Sequence, residues 1–274
     1  TIALFKRSGW KINVKGRSYF PEIYDYSISC AICRAKEMSR NVENGTLESG
    51  LTGKDWIAEN QSDVHVVTDL VYSKVSSRPA RWVLAVPYQS DIQSLEDLNG
   101  KKIATELVGY TRRYFENKGI NVAVEFSWGA TEAKVVSGLA DAVVEVTETG
   151  STIKAHGLRI IHDLMQTNTQ LIANHTAWKD PKKRIKIEQI ALLLKGALLG
   201  EKLVGLKMNV PATSLEKVVA LLPSLNAPTV ASLYQSTWFS VETVVNTNVV
   251  RDLIPDLLKA GAEGTIEYPL NKVV

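Results

Sequence analysis

The chain reads as an α/β protein: a two-lobed body followed by a small domain of βαββαβ order. Three observations predict this. Short β-rich runs alternate with amphipathic helical segments over the first two thirds, the order typical of α/β folds. From about Leu203 the pattern becomes strand, helix, strand, strand, helix, strand, the split βαβ arrangement of small ligand-sensing domains. Between these regions, apolar Val83–Pro87 runs into Tyr-Gln-Ser-Asp, and Leu171–Asn174 runs into His-Thr-Ala-Trp178. Two such crossings divide the body into one lobe of 1–86 with 175–200 and a second of 87–174, with a cleft between them suited to ligands; 201–274 forms the terminal domain.

In chain order, Thr1–Trp10 has helical periodicity closed by Gly9, so the numbering begins inside a helix and a preceding strand is expected upstream. Strands are predicted at 11–20 and Cys30–Arg34, and a helix at Ala35–Glu43, stopped by Asn44-Gly45. Glu48–Asp55 gives a short strand, a glycine turn and a helix start. Arg81–Pro87 is a strand that is apolar after its first residue, and Ser94–Leu98 carries the S-x-x-D capping form before one helical turn. Strands at Lys102–Glu106, Ala123–Phe126 and Ala142–Val146 alternate with helices at Tyr110–Lys118 and Thr131–Leu139. Arg159–Met165 and Thr169–Ala173 are strand-like, and Lys183–Leu199 is the longest helix. The terminal domain places strands at Val204–Val210, Thr229–Leu233, Phe239–Val245 and Gly264–Tyr268, with helices at Thr213–Leu222 and Asn248–Ala260.

Composition narrows the function classes. Charge is nearly balanced, 32 basic against 29 acidic residues, with no long basic run interleaved with aromatics, so nucleic acid is not the expected partner. Lys179–Lys186 is the densest basic cluster and reads as a solvated helix face. No apolar run approaches the ~18 residues of a membrane span. Cys30 and Cys33 form a lone C-x-x-C with no second pair, and the four histidines are scattered, which argues against a zinc or redox site. Two reduced cysteines fit a cytoplasmic protein.

The strongest chemical signal is Asp141–Lys154. An apolar strand delivers Glu145 and Glu148, then breaks into Thr149-Gly150-Ser151-Thr152 at a helix start. Backbone N–H groups, a close-approach glycine and three hydroxyls make a phosphate cradle, and acids upstream suit sugar hydroxyls or a phosphate-bound Mg²⁺. The same composition also fits an ordinary capped helix. A second cluster, Gly50-Leu-Thr52-Gly53-Lys54-Asp55, offers N–H donors and an ammonium to an anion, or is a tight turn with Asp55 as cap. A third places Arg112 and Arg113 in the first turn of a helix, where they oppose its dipole and so point to an anionic partner, unless they are simply solvated. A fourth, Ser127–Glu132, sets Glu132 at a helix start near the Glu145 strand, as a site residue or a plain capping carboxylate. There is no catalytic-triad order, zinc spacing or dinucleotide fingerprint.

The runs GLTGKDW at 50–56, RWVLAVP at 81–87, KKIATELVGYTRRYF at 101–115, WGATEAK at 128–134, LADAVVEVTETGSTIKAHGLRII at 139–161, LNAPTVASL at 225–233 and GAEGTIEYPLNK at 261–272 resemble the long-form ATP phosphoribosyltransferases of histidine biosynthesis. The likeness runs from about Trp10 to the end. It implies a type II periplasmic-binding-protein-like body with an ACT-like (ferredoxin-like) domain, and a homohexamer built from dimers. The reaction it implies joins ATP N1 to C1 of phosphoribosyl pyrophosphate with Mg²⁺, under feedback inhibition by histidine.

Carried onto matching positions, Glu148, Thr149, Gly150, Ser151 and Thr152 would hold the 5′-phosphate. Glu145 and Glu132 would meet ribose hydroxyls or metal. Arg34, Gly50, Thr52, Gly53, Lys54, Asp55 and Arg112 would line the ATP and pyrophosphate side, and Asn209, Leu225, Thr229, Val244 and Gly264 the histidine pocket. Two departures stand out: the family's first strand with its Pro-Lys-Gly turn lies outside this numbering, and Asn209 replaces the Asp of some relatives, weakening pairing with the histidine ammonium. A competing reading is a non-catalytic, bilobal solute-binding protein, against which the split βαβ tail counts.

Overall fold

The computed structural model describes residues 1–16, 18–71, 79–129, 131–223 and 227–274. It contains two compact units, Thr1–Ala31 with Leu192–Val274, and Ile32–Ala191.

The chain opens with α1 (Ile2–Ser8), closed by Gly9 at φ 108, a left-handed cap that glycine adopts without strain. The strand predicted over 11–20 shrinks to β1 (Ile12–Asn13), paired antiparallel with β2 (Glu22–Ile23). Gly16 turns the chain at φ 58 and Pro21 lacks an N–H, so the ladder cannot extend. No strand forms at Cys30–Arg34. Both cysteines are free, and burial pushes both thiols up, away from reactive thiolate.

The Ile32–Ala191 unit contains α2 (Ala35–Glu43), β3 (Ser49–Gly53), α3 (Lys54–Asn60), β4 (His65–Leu70), β5 (Ala80–Pro87), β6 (Lys102–Thr105), α4 (Val108–Glu116), β7 (Ala123–Phe126), α5 (Thr131–Val136), β8 (Ala142–Thr147), α6 (Ser151–Ala155), β9 (Leu158–Thr167), β10 (Thr169–Ala173) and α7 (His175–Lys179), and α8 (Pro181–Gly200) begins in it. Two sheets form, ordered β3-β10-β4 and β7-β6-β8-β5-β9. The larger is covered on both faces. Trp82, Leu84, Ile103, Phe115 and Val144 pack in one cluster, and Val83, Ala85, Ala104, Val143 and Ile153 in another. This is why Trp82–Val86 is apolar without alternation.

Two features differ from the sequence expectation. β4 and α7 were not foreseen. The chain also changes sheets elsewhere than at Pro87: β5 lies between β8 and β9, so the larger sheet has been entered by Ala80, and it is left between Thr167 of β9 and Thr169 of β10. The polar residues after Pro87 instead make a turn at the end of β5, where the Tyr88 N–H donates to the Gly157 carbonyl at 3.1 Å.

The C-terminal elements are β11 (Leu203–Pro211), α9 (Leu215–Leu221), β12 (Thr229–Ser232), β13 (Trp238–Asn246), α10 (Thr247–Ala260) and β14 (Glu263–Pro269). They form an antiparallel sheet ordered β12-β13-β11-β14. Alternate residues Val204, Leu206, Met208 and Val210 turn inward against Val241, Val245, Val250 and Leu257. This is the predicted βαββαβ domain. Among the described residues no helix is long and apolar enough to cross a membrane.

Candidate active site

Strands β6, β7 and β8 run parallel, so their carboxyl ends share one edge of the larger sheet. In open α/β sheets that edge is where ligands bind. It carries Glu106 after β6, Ser127 and Trp128 after β7, and residues 148–152 after β8.

The last of these is the predicted phosphate loop. Gly150 adopts φ 78, ψ 1 and precedes α6. Its N–H does not point to open solvent; it donates to Thr147 Oγ1 at 2.8 Å. Thr149 Oγ1 and Ser151 Oγ lie 2.9 Å apart, and the Ser151 N–H makes a long 3.4 Å contact to Thr149 Oγ1. The expectation that the Gly150 amide points at an anion is therefore revised. Thr149, Ser151 and Thr152 stay exposed, so hydroxyls form the open surface of the loop.

Sequence reasoning missed a cation here. Arg81, at the start of β5, grips Asp163 through Nη1 at 2.7 and 2.8 Å. A Cβ placed on Gly150 would lie 4.0 Å from Arg81 Nη2, so the guanidinium borders the loop. The lone charge opening an otherwise apolar run was the available signal.

Glu145 is half-buried on β8, with Glu132 of α5 and Glu106 close enough to repel it. Burial pushes its carboxyl above the ordinary value, helped by Glu132 and then Glu106, while the Val146 N–H at 3.1 Å and Thr131 pull the other way. The stability consequence has a definite sign. The folded chain binds the Glu145 proton more tightly than the unfolded chain does. The stabilisation from that group is complete below the unfolded carboxyl value and is lost as pH rises through the raised folded one. Above that raised value the ionised carboxylate therefore destabilises the fold. Glu145→Gln is expected to raise the melting temperature at about pH 8, with the gap from wild type closing toward about pH 4. A thermal-unfolding series across pH checks this, and a melting temperature below wild type at the upper pH would refute it.

The Gly50–Asp55 cluster is not a loop. Gly50, Thr52 and Gly53 lie inside β3, facing Ile172, Gln170 and Thr169 of β10. A side chain at Gly50 would collide with Met38 of α2, which explains that glycine by close helix approach. Thr52 is buried and its hydroxyl donates to the Ala35 carbonyl at 2.7 Å. Asp55 is buried too: Oδ2 accepts from Trp82 Nε1 at 2.8 Å and Oδ1 from the Trp56 N–H at 3.0 Å. Lys54 is exposed. An open cavity of about 260 Å³ joins this cluster to the phosphate-loop strand, lined by Gly53, Asp55, Trp56, Val146, Thr167 and Asn168 among others.

Arg112 does not sit in a first helical turn, because α4 begins at Val108; it is exposed in the middle of that helix. The helix start is served instead by Glu59 of α3, which accepts from the Gly109 and Tyr110 N–H groups at 2.9 and 2.7 Å. Arg113 Nη2 reciprocates, donating to the Ala58 and Glu59 carbonyls at 2.5 and 3.2 Å. No anionic ligand is needed to explain Arg113. Arg34 begins α2 and its guanidinium lies 5.7 Å from the Trp128 ring centre.

The inhibitor residues lie in the C-terminal domain. Asn209 pairs with Ser240 and Glu263, and a Cβ on Gly264 would stand 3.8 Å from Asn209 Nδ2. Thr229 faces Glu242 and Val244 faces Gly205. In β13 these even positions alternate with buried Val241, Thr243 and Val245, so Asn209, Thr229 and Val244 occupy the sheet face turned from the core. Leu225 lies outside the described residues.

Residues 34–196 match the family model described as ATP phosphoribosyltransferase, and residues 200–272 the one described as HisG, C-terminal domain. The ATP phosphoribosyltransferase of Desulfosudis oleivorans is 75% identical over 274 residues, covering 100% of this chain and 94% of its own length. That of Desulfatibacillum aliphaticivorans is 73% identical over the same shares of both chains. Among solved structures, the ATP phosphoribosyl transferase (HisG:HisZ) complex from Thermotoga maritima aligns with a TM-score of 0.60 at 24% identity, over 70% of this chain and 90% of that one, a likeness of fold.

Proposed function

The chain belongs to the ATP phosphoribosyltransferase family, and on that premise we propose that the hydroxyl-lined loop after β8 holds the 5′-phosphate of phosphoribosyl pyrophosphate. The enzyme is a pentosyltransferase that joins ATP N1 to C1 of that sugar and releases pyrophosphate, the first step of histidine biosynthesis. Its fold is a type II periplasmic-binding-protein-like body with an ACT-like domain. The solute-binding alternative is not favoured, because the whole chain aligns with named transferases.

The observation that carries the site assignment is the cavity in which Val146, just ahead of the loop, meets Gly53 and Asp55. In this reading Glu148 to Thr152 face the phosphate, with Arg81 alongside. Glu145 and Glu132 face the ribose. As pyrophosphate departs, positive charge develops at C1, and a carboxylate held with its proton affinity raised is relieved by that charge. Catalysis then rests on orientation and electrostatics, with no strong protein base.

Mg²⁺ fits this donor set in its usual mode, one or two carboxylates plus substrate oxygens. Glu132 and Glu145 would hold it; among the described residues no group of three or more His, Cys, Asp or Glu side chains forms a metal cage. When bound, the ion neutralises charge on the departing pyrophosphate. Arg34, Lys54 and Arg112 are exposed cations for the ATP and pyrophosphate side, while Gly50, Thr52, Gly53 and Asp55 support that side as framework. Histidine would bind on the outward sheet face of 201–274 through Asn209, Thr229, Val244 and Gly264, with Leu225 as an unplaced partner. A cytoplasmic homohexamer completes the reading.

The test is the double variant Thr149→Val with Thr152→Val. It is expected to raise KM for phosphoribosyl pyrophosphate about tenfold or more, two lost hydroxyl contacts, with KM for ATP unchanged. Unchanged KM for the sugar substrate would remove the loop from its binding.

A further inference from the structure

We propose that Trp128 is the platform on which the adenine of ATP stacks, with Arg34 and Lys36 beside it to receive the triphosphate. This deepens the transferase reading and rests on ATP being the substrate. Trp128 follows β7, on the same sheet edge as Glu106, Glu145 and the loop after β8. The residue is 67% exposed, an unusual state for the largest apolar side chain. The base of its loop is fixed, because the Ser127 N–H donates to the Thr105 carbonyl at 2.9 Å and the Ser127 side chain is buried. The ring is thus held out from a firm anchor rather than hanging from a long loop.

Two cations attend it. Arg34 Cζ lies 5.7 Å and Lys36 Nζ 5.9 Å from the ring centre. Among the described residues neither cation forms an ion pair with a carboxylate. An aromatic plate flanked by two unneutralised cations suits a planar base carrying a polyanion.

The reaction itself favours recognition through the face of the base. N1 of adenine is the nucleophile, so its lone pair must stay free to reach C1. A pocket that hydrogen-bonded N1 would block the attack, whereas stacking uses only the π face and leaves that edge open. Glu132, four positions on, then stands near the sugar that the edge must reach.

Trp128→Ala and Trp128→Phe test this in the full-length enzyme. Trp128→Ala is expected to raise KM for ATP about tenfold or more, and the Ki of 1-deaza-ATP, which lacks the nucleophilic N1, by the same factor. KM for phosphoribosyl pyrophosphate should not move, and Trp128→Phe should recover most of the loss. ATP should quench tryptophan emission in the wild type and lose most of that quench in Trp128→Phe. An ATP KM within twofold of wild type in Trp128→Ala, or equal increases for both substrates, would overturn the proposal. The Thr149 and Thr152 variants report on the sugar substrate alone, so failure of the phosphate-loop assignment is distinguishable from failure of this one.

Discussion

Gly150→Val is expected to abolish phosphoribosyl transfer in a chain that still folds. Gly150 sits at φ 78, a left-handed conformation that costs a residue with a Cβ about 1–2 kcal/mol, and β-branching worsens it. Even the first carbon of the new side chain would stand 3.2 Å from Ile160 Cδ1, in a buried position. The strained φ and the added methyl groups are expected to shift the loop, carrying Thr149, Ser151 and Thr152 with it and weakening the Gly150 N–H bond to Thr147. A displacement near 1 Å at a positioning group lowers turnover about a hundredfold or more. The melting temperature should fall by only a few degrees. Gly119→Val is the matched control: Gly119 has φ 70, but nothing stands within 4 Å of its Cβ position, so it carries the backbone strain without the loop. Turnover near wild type in Gly150→Val would exclude the loop from the mechanism.

The second large effect is on stability. Asp55→Ala removes the acceptor for Trp82 Nε1 and for the Trp56 N–H, and leaves a buried indole N–H without a partner. A buried hydrogen bond to a charged group is worth about 1.5–3 kcal/mol, and the orphaned donor adds to the loss. We expect about 3 kcal/mol, read as a melting temperature lower by roughly 6–12 °C. Asp55→Asn keeps an oxygen for Trp82 and should lose less than half as much while retaining turnover within tenfold. A small shift in Asp55→Ala, or a collapse of turnover in Asp55→Asn with the fold intact, would return Asp55 to a direct role at the ATP side.

Asp55 shows why part of the site was not legible in one dimension. Next to Gly53 and Lys54, a carboxylate reads as a ligand or a cap. Its partner Trp82 is 27 residues away on β5, while Asp55 lies in α3, so no local pattern announces the pairing. Gly50 and Gly53 likewise resemble a turn, because a tight turn and close packing, against α2 at Gly50 and against the Asp55 carboxylate at Gly53, both select glycine. The placement of Arg112 and Arg113 in a first helical turn failed for a related reason. It depended on where α4 begins, and the carboxylate that caps α4 comes from Glu59, fifty residues earlier.

The local determinants were readable because they act over a few residues. Apolar period and the Asn44-Gly45 stop place α2 at its expected bounds, and residue pattern places β7 at its own and most other strands of both units within a residue or two. The composition of 148–152 marks a hydroxyl-rich glycine loop before any coordinates, since hydroxyls and a glycine at φ above zero are local requirements. Which groups face that loop is another matter. Arg81 beside Gly150, the carboxylates around Glu145 and the cations around Trp128 all come from other strands and helices. Those neighbours follow from strand order and burial, and electrostatic and packing interactions fall off with distance in space, not along the chain.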